Sequence, residues 1–158
     1  MNSARANIAI CHLQVVPKFA PAIADRCWNA WWSESDVSLA DYEVAIEGMC
    51  EMGRVPSAFV AHQSGIYVGS TLLIECDLAA RSNYAPWIAA LWVEPIFRKR
   101  GVASRLIDTA LGEAGRLGYR LCYLNATHAN SAYYEARGFQ RIESNVGNVN
   151  VFSRETQI

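Results

Sequence analysis

A chain of 158 residues, 52% of them apolar, is long enough for one domain with a real core and too apolar to stay disordered. Its net charge of −1 argues against a general nucleic-acid binder. No apolar stretch approaches the roughly 20 residues of a membrane-spanning helix, so no membrane partner is expected. The opening MNSARANIAICHLQ has no charged leader followed by a long apolar run, which predicts a cytoplasmic protein without a signal peptide. Cys11, Cys27, Cys50, Cys76 and Cys122 are odd in number, lack C-x-x-C spacing and sit inside apolar segments. They read as buried reduced thiols, with neither a disulfide framework nor a metal site.

Asn7 to Leu13 reads as a first strand. Pro17 opens a helix that runs to about Trp32, with Ile23, Cys27, Ala30 and Trp31 on one face. Ser38 is placed to cap a second helix, with Asp41 as its capping-box partner. Leu39, Tyr42, Ile46 and Met49 form the buried face of that helix, and Gly53 and Pro56 end it. Ser57 to His62 and Ile66 to Cys76 form a hairpin around Gln63-Ser64-Gly65, and Asp77 to Tyr84 is a polar loop. Trp87 to Val93 is a continuous apolar run, the pattern of a buried central strand. From Ser104 the spacing turns helical, with Leu106, Ile107, Ala110, Leu111, Ala114 and Leu117 at three- and four-residue steps up to Gly118. Leu121 to Leu124 is the next strand, and Asn130 to Ala136 a short helix stopped by Gly138. Phe139 to Glu143 and Asn148 to Arg154 form a terminal hairpin around Val146-Gly147. The order is β-α-α-β-β-β-α-β-α-β-β, with no repeat and no linker, so residues 1–158 are expected to form one domain.

The junction between the central strand and the helix after it carries the chemistry. It reads Arg98-Lys99-Arg100-Gly101-Val102-Ala103-Ser104. Small residues let the backbone approach a ligand, and the first N–H groups of the helix have no partner within it. The helix dipole favours an anion there and the flanking cations add to it, so this is a site for phosphate or pyrophosphate.

Val93-x-Pro95 followed by Arg98-x-x-Gly101-x-Ala103 resembles motif A of the GCN5-related N-acetyltransferases, the GNAT superfamily. Downstream, Tyr133-Tyr134-Glu135-Ala136-Arg137-Gly138-Phe139 resembles that family's F-Y-x-x-x-G-F element. The resemblance implies an α+β, three-layer fold: a mixed, mostly antiparallel sheet with helices on both faces. It implies acetyl-CoA as co-substrate and no metal. Leu91, Trp92 and Val93 would offer backbone groups to the pantetheine arm. Pro95 would help stop pairing at the strand end, where splaying opens a slot. Arg98 through Ser104 would hold the pyrophosphate, with Arg105 as a further source of charge. Tyr134 matches the family's catalytic tyrosine, with Tyr133 as packing. A phenol has a reference pKa near 10 and a thiol near 8.5, so a tyrosine stays protonated at neutral pH and can protonate a departing thiolate. Where many members carry an Asn that contacts the CoA arm, this chain has Thr127, which could still hydrogen-bond to the arm; alternatively Asn130 or Asn125 would substitute.

A protonated amine must lose a proton before it attacks. Glu75 and Asp77, at the end of the third strand, are the candidate bases. Glu75 stands in an otherwise apolar strand, where an unpaired carboxylate needs a reason. His12 and His62 are weaker candidates. Between Arg26 and Arg54 there is no Lys or Arg, but there are Glu34, Asp36, Asp41, Glu43, Glu47 and Glu51. From Arg98 to Arg120 six basic residues (Arg98, Lys99, Arg100, Arg105, Arg116 and Arg120) face only Asp108 and Glu113. In the family the first two helices border the acceptor groove. An acidic pole there suggests a cationic small-molecule acceptor, with Trp28, Trp31 and Trp32 available for cation–π contacts. The expected activity is acetyl transfer to a primary amine by direct attack in a ternary complex. The alternatives are another acyl-CoA, a protein or peptide amine, and a non-catalytic acyl-CoA-binding module. A nucleotide-binding domain is disfavoured by the absence of G-x-x-x-x-G-K-S/T and G-x-G-x-x-G. Exposed tryptophans or the terminal hairpin would serve a homodimer.

Overall fold

The computed structural model describes residues 7–157. β1 (Ala9–His12) leads through a 3-10 turn at Pro17–Phe19 into α1 (Ala20–Cys27), which continues as a π-helical turn over Trp28–Trp32. α2 (Leu39–Glu47) precedes β2 (Ser57–Gln63), β3 (Ile66–Ile74) and β4 (Trp87–Val93). α3 (Val102–Arg116), β5 (Leu121–Ala126), α4 (His128–Glu135), β6 (Gln140–Val146) and β7 (Val149–Glu155) follow. The element order is the expected one.

The seven strands form one sheet in the order β1-β2-β3-β4-β5-β7-β6. Every neighbouring pair is antiparallel except β4 and β5. Alternation along β2 divides the core. Phe59 and Ala61 pack with Leu106, Ile107 and Phe152, whereas Ala58 and Val60 pack with Ile23, Cys27 and Ile46. So α1 and α2 cover one face, and α3 and α4 the other. Helices on both faces of a mixed, mostly antiparallel sheet are the architecture expected.

Two features of β4 open this sheet. Ser70 faces Trp92 and Leu72 faces Ala89, so Ala90 and Leu91 together oppose Thr71. This is a β-bulge, which bends the strand and raises its local twist. Ala90 takes a left-handed φ of 52°, and the Thr71 hydroxyl braces the bulge with a 3.0 Å hydrogen bond to the Ala89 carbonyl. Further, β4 and β5 pair only at Trp87 and Tyr123 and separate beyond that point. The divergence therefore starts after Trp87, not at Pro95 as expected.

Several boundaries differ from the sequence reading. β3 ends at Ile74 and leaves Glu75 outside the strand. α2 stops at Glu47, with Gly48 as its C-cap, well before Gly53. Its N-terminus is as expected, since the Ser38 hydroxyl accepts from the Asp41 N–H at 3.1 Å. α3 begins at Val102 and α4 at His128, each two residues earlier than periodicity suggested. Ala30 and Trp31 do not share the buried face of Ile23 and Cys27. The π-helical turn takes them off the α-helical stripe, and both are exposed. Of the cysteines, Cys27 and Cys122 are buried, Cys11 and Cys50 are half-buried and Cys76 is exposed.

Candidate active site

The diverging strands leave a cleft in two connected parts. One, of about 470 Å3, lies between the end of β4 and the start of α3. The other, of about 430 Å3, lies between β4, β5 and the Trp28–Trp32 turn. Leu91, Asn130 and Tyr134 line both, so they stand where the two halves meet.

The first half brings free helix N–H groups and basic side chains together. α3 is capped by Gly101 in a left-handed conformation (φ 79°), with no side-chain cap and no acidic residue in its first turn. The first intrahelical bond runs from the Arg105 N–H to the Gly101 carbonyl, so the N–H groups before it have no helical partner. Lys99, at φ 62°, adds a second left-handed position to the loop. Arg98, Lys99, Gly101, Val102 and Ala103 all line this half. Arg98 is partly committed: its Nε donates to the Val93 carbonyl at 2.8 Å and its guanidinium lies 4.9 Å from the Trp92 ring centre. Arg100 and Ser104 do not line the cleft. Arg100 lies over Phe97, and the Ser104 hydroxyl accepts from Arg137 at 2.9 Å. Arg105 reaches the other way, to the Ile8 carbonyl.

Leu91, Trp92 and Val93 form the wall along β4. The Glu94 N–H donates to the Val68 carbonyl at 2.8 Å. In an antiparallel ladder the adjacent residue then directs its N–H and C=O to the opposite edge. Val93 thus turns its polar backbone away from β3, towards the opening, where its carbonyl meets Arg98. Gly69 lets β3 and β4 lie this close, because a Cβ there would stand 2.6 Å from the Trp92 carbonyl oxygen.

Tyr134 sits at the junction, edge-on to Tyr133 and Phe139. Burial pushes its hydroxyl up to about 12, with Tyr133 adding to the shift and Arg137 opposing it, so it is protonated at neutral pH. Asp77 lines the second half, where its carboxylate accepts from the Asn125 amide at 2.8 Å. Desolvation by the surrounding cleft raises it to about 6 and the Asn125 bond partly offsets that, although the Asp77 side chain is itself exposed to solvent. Glu75 is exposed as Asp77 is, but it lies outside both halves, and the apolar setting that singled it out does not exist. Thr127 occupies the N-cap position of α4, without a side-chain cap, and lines the second half. His12 and His62 are committed elsewhere, to Ser57 and Cys11.

A family model described as an acetyltransferase (GNAT) domain matches residues 54–141, more than half of the chain. The chain belongs to the GNAT family. Solved structures share the fold of this GNAT domain over nearly its whole length. An acetyltransferase of the GNAT family from Staphylococcus aureus Mu50 is 14% identical, with a TM-score of 0.70 over 96% of this chain and 100% of that one. The Salmonella typhimurium protein yncA, solved with its cofactor acetyl-CoA, is 15% identical, with a TM-score of 0.70 over 95% and 94%. N-acetylglutamate synthase from Neisseria gonorrhoeae, complexed with coenzyme A and L-arginine, is 16% identical, with a TM-score of 0.70 over 98% of this chain and 34% of that one. No curated protein matches the chain.

The GNAT domain has a functional candidate that motif reading passed over. Arg137 lines the first half, donates to the Tyr133 carbonyl at 2.8 Å and stacks 3.3 Å from the Tyr133 ring centre. It lies inside the quoted Tyr133–Phe139 element, so the signal was present but was read only for its aromatic residues. The acidic pole is not at the site. None of Glu34, Asp36, Asp41, Glu43, Glu47 or Glu51 lines the cleft, and the carboxylate that does is Asp77.

Proposed function

We propose that this GNAT domain is an acetyl-CoA-dependent N-acetyltransferase that acylates the primary amine of a cationic small molecule by direct attack in a ternary complex. The observation that carries the reading is the two-part cleft, with an anion cradle in one half, a carboxylate in the other and a protonated phenol where they join. The residues present fit the CoA group. The uncapped first turn of α3, Arg98 and Lys99 would hold the phosphates, and the β4 wall of Leu91, Trp92 and Val93 would hold the arm. Acetyl-CoA, when bound, supplies the acyl group as a thioester and carries away a thiol.

The chain's own groups have separate tasks in this reading. Asp77 accepts a proton from the arriving ammonium, which suits a group ionised above about pH 6. The Val93 N–H is the donor for negative charge building on the acyl oxygen. Tyr134 gives its proton to the leaving sulfur, and its raised pKa keeps that proton available. The nitrogen–carbon bond forms and the carbon–sulfur bond breaks; of the two protons the ammonium loses, one passes through Asp77 to solvent and the other replaces the proton Tyr134 gives to sulfur, so one proton is released per turnover. Asn130 stands at the junction as a hydrogen-bonding group for the arm, with Thr127 near it in the second half.

A thermal-shift titration with acetyl-CoA, CoA and ATP tests the cofactor assignment. At a hundredfold excess over Kd, binding adds about 2.7 kcal/mol, which corresponds to a Tm rise of roughly 5–10 °C in a domain of this size. The expected result is such a rise with acetyl-CoA and CoA and little with ATP. No rise at millimolar acetyl-CoA would remove the basis of every role assigned here.

A further inference from the structure

The second half of the cleft has an unusual lining for an ammonium site. Trp31 and Trp32, consecutive residues of the π-helical turn, both face it and remain 51% and 40% exposed. Exposed tryptophans scattered singly on a convex surface need no explanation, but two in one concavity mark a contact surface. Each is braced from behind. Trp31 meets Trp92 edge-on at 6.3 Å, Trp32 packs against Tyr42 at 6.0 Å, and the Trp28 indole N–H closes the turn onto the Val37 carbonyl at 2.8 Å. The indoles are therefore pre-positioned rather than loose. The rest of the lining mixes small or aliphatic groups such as Ala89, Ala90 and Ala126 with the polar Asn125, Thr127 and Asn130. A π-helical turn often marks a functional site, and here it brings two neighbouring indoles to one wall.

Charge narrows the occupant further. Among the described residues, Asp77 is the one carboxylate in this lining, and no Lys or Arg accompanies it. A polyamine or other polycation needs several carboxylates along its length, and those of the acidic pole do not reach the cleft. A single ammonium next to a flat apolar body matches one carboxylate facing two indoles and an alanine floor. The volume of about 430 Å3 lies at the small end of ligand sites, which run from about 300 to 1,000 Å3.

We infer that the acceptor is a compact monoamine bearing an aromatic group, its ammonium directed to Asp77 and its ring held by Trp31 and Trp32. This rests on the acetyltransferase reading above and specifies its second substrate. The test is thiol release from acetyl-CoA with 2-phenylethylamine, n-hexylamine and spermidine, run beside an acetyl-CoA thermal shift on the same protein. The aryl amine is expected to exceed both others in kcat/KM by about tenfold, the scale of one aromatic stacking contact. Trp32→Ala should remove that preference while leaving the acetyl-CoA shift intact, because Trp32 lines only the acceptor half. Trp32→Phe should restore part of it. Spermidine or hexylamine turned over as well as the aryl amine, turnover of none of the three, or a preference that survives Trp32→Ala overturns the aryl assignment even where acetyl-CoA binds. Failure of acetyl-CoA to bind overturns the underlying reading instead, and the assignment with it.

Discussion

Replacing Asp77 with Asn separates its proposed role in catalysis from its cost to folding. Its carboxyl titrates near 6, raised by desolvation and partly restored by the Asn125 amide. A base must be ionised to act. One unit above its pKa about ten carboxylates are ionised for each protonated one, and one unit below the ratio inverts. The assay is kcat/KM for an amine from pH 5 to pH 8, in wild type and in Asp77→Asn. The amine's own ionisation is common to both enzymes, so the ratio of the two isolates Asp77. That ratio should climb through about pH 6 and level off above pH 7 at roughly 10²–10⁴, the usual contribution of general base catalysis. Asn125→Ala removes the bond that favours the ionised form and should move the midpoint above 6. The folding side has the opposite sign. The folded pKa lies above the unfolded one near 3.8, so the carboxylate disfavours folding fully above about pH 6 and not at all below about pH 4. Asp77→Asn should therefore raise Tm at pH 7.5, with the gain shrinking towards pH 4.5. A ratio that stays flat from pH 5 to pH 8 refutes the base assignment, and an unchanged Tm at pH 7.5 refutes desolvation as the cause of the shift.

Tyr134→Phe should lower kcat about a hundredfold or more while changing acetyl-CoA affinity only slightly, a split read from initial rates and a thermal shift on the same variant. An unchanged kcat takes Tyr134 out of the chemistry. Gly69→Ala would drive a Cβ into the Trp92 carbonyl and within 3.2 Å of the Val93 Cα, both backbone atoms that must move. The expected loss is about 1–3 kcal/mol by denaturant melt, with weaker acetyl-CoA binding because β4 shifts; full stability would mean that the β3–β4 approach is looser than described. Ser38→Ala removes the exposed cap of α2 and should cost about 1 kcal/mol without changing turnover.

The element order was legible in the amino-acid chain, because each segment carries its own period. α3 repeats apolar residues at three and four, and its Leu106, Ile107, Ala110, Leu111 and Ala114 are all buried as read. β4 spans Trp87–Val93, the limits its apolar run set, and Gly101, Gly118 and Gly138 take left-handed conformations at the breaks where glycine was expected to act. The left-handed Gly101 at the start of α3 was legible for the same reason: a helix start and the small residues next to it are local in sequence. What only the tertiary structure decided involves residues far apart in the chain. Glu75 and Asp77 are two residues apart, alike on paper and both exposed, yet Asp77 meets Asn125, 48 positions away, and lines the cleft, whereas Glu75 lies outside it. The β4–β5 divergence depends on a bulge opposite Thr71 and on pairing that ends at Trp87, neither of which leaves a periodic trace. The Trp28–Trp32 turn was read as ordinary α-helix because its composition allows one. The widened turn instead turns Trp31 outward and sets two indoles over a cleft whose opposite wall comes from β4 and β5. Periodicity reports which face of an element is buried against its neighbours, but a cleft forms where neighbours separate, and that separation is a property of the assembled sheet.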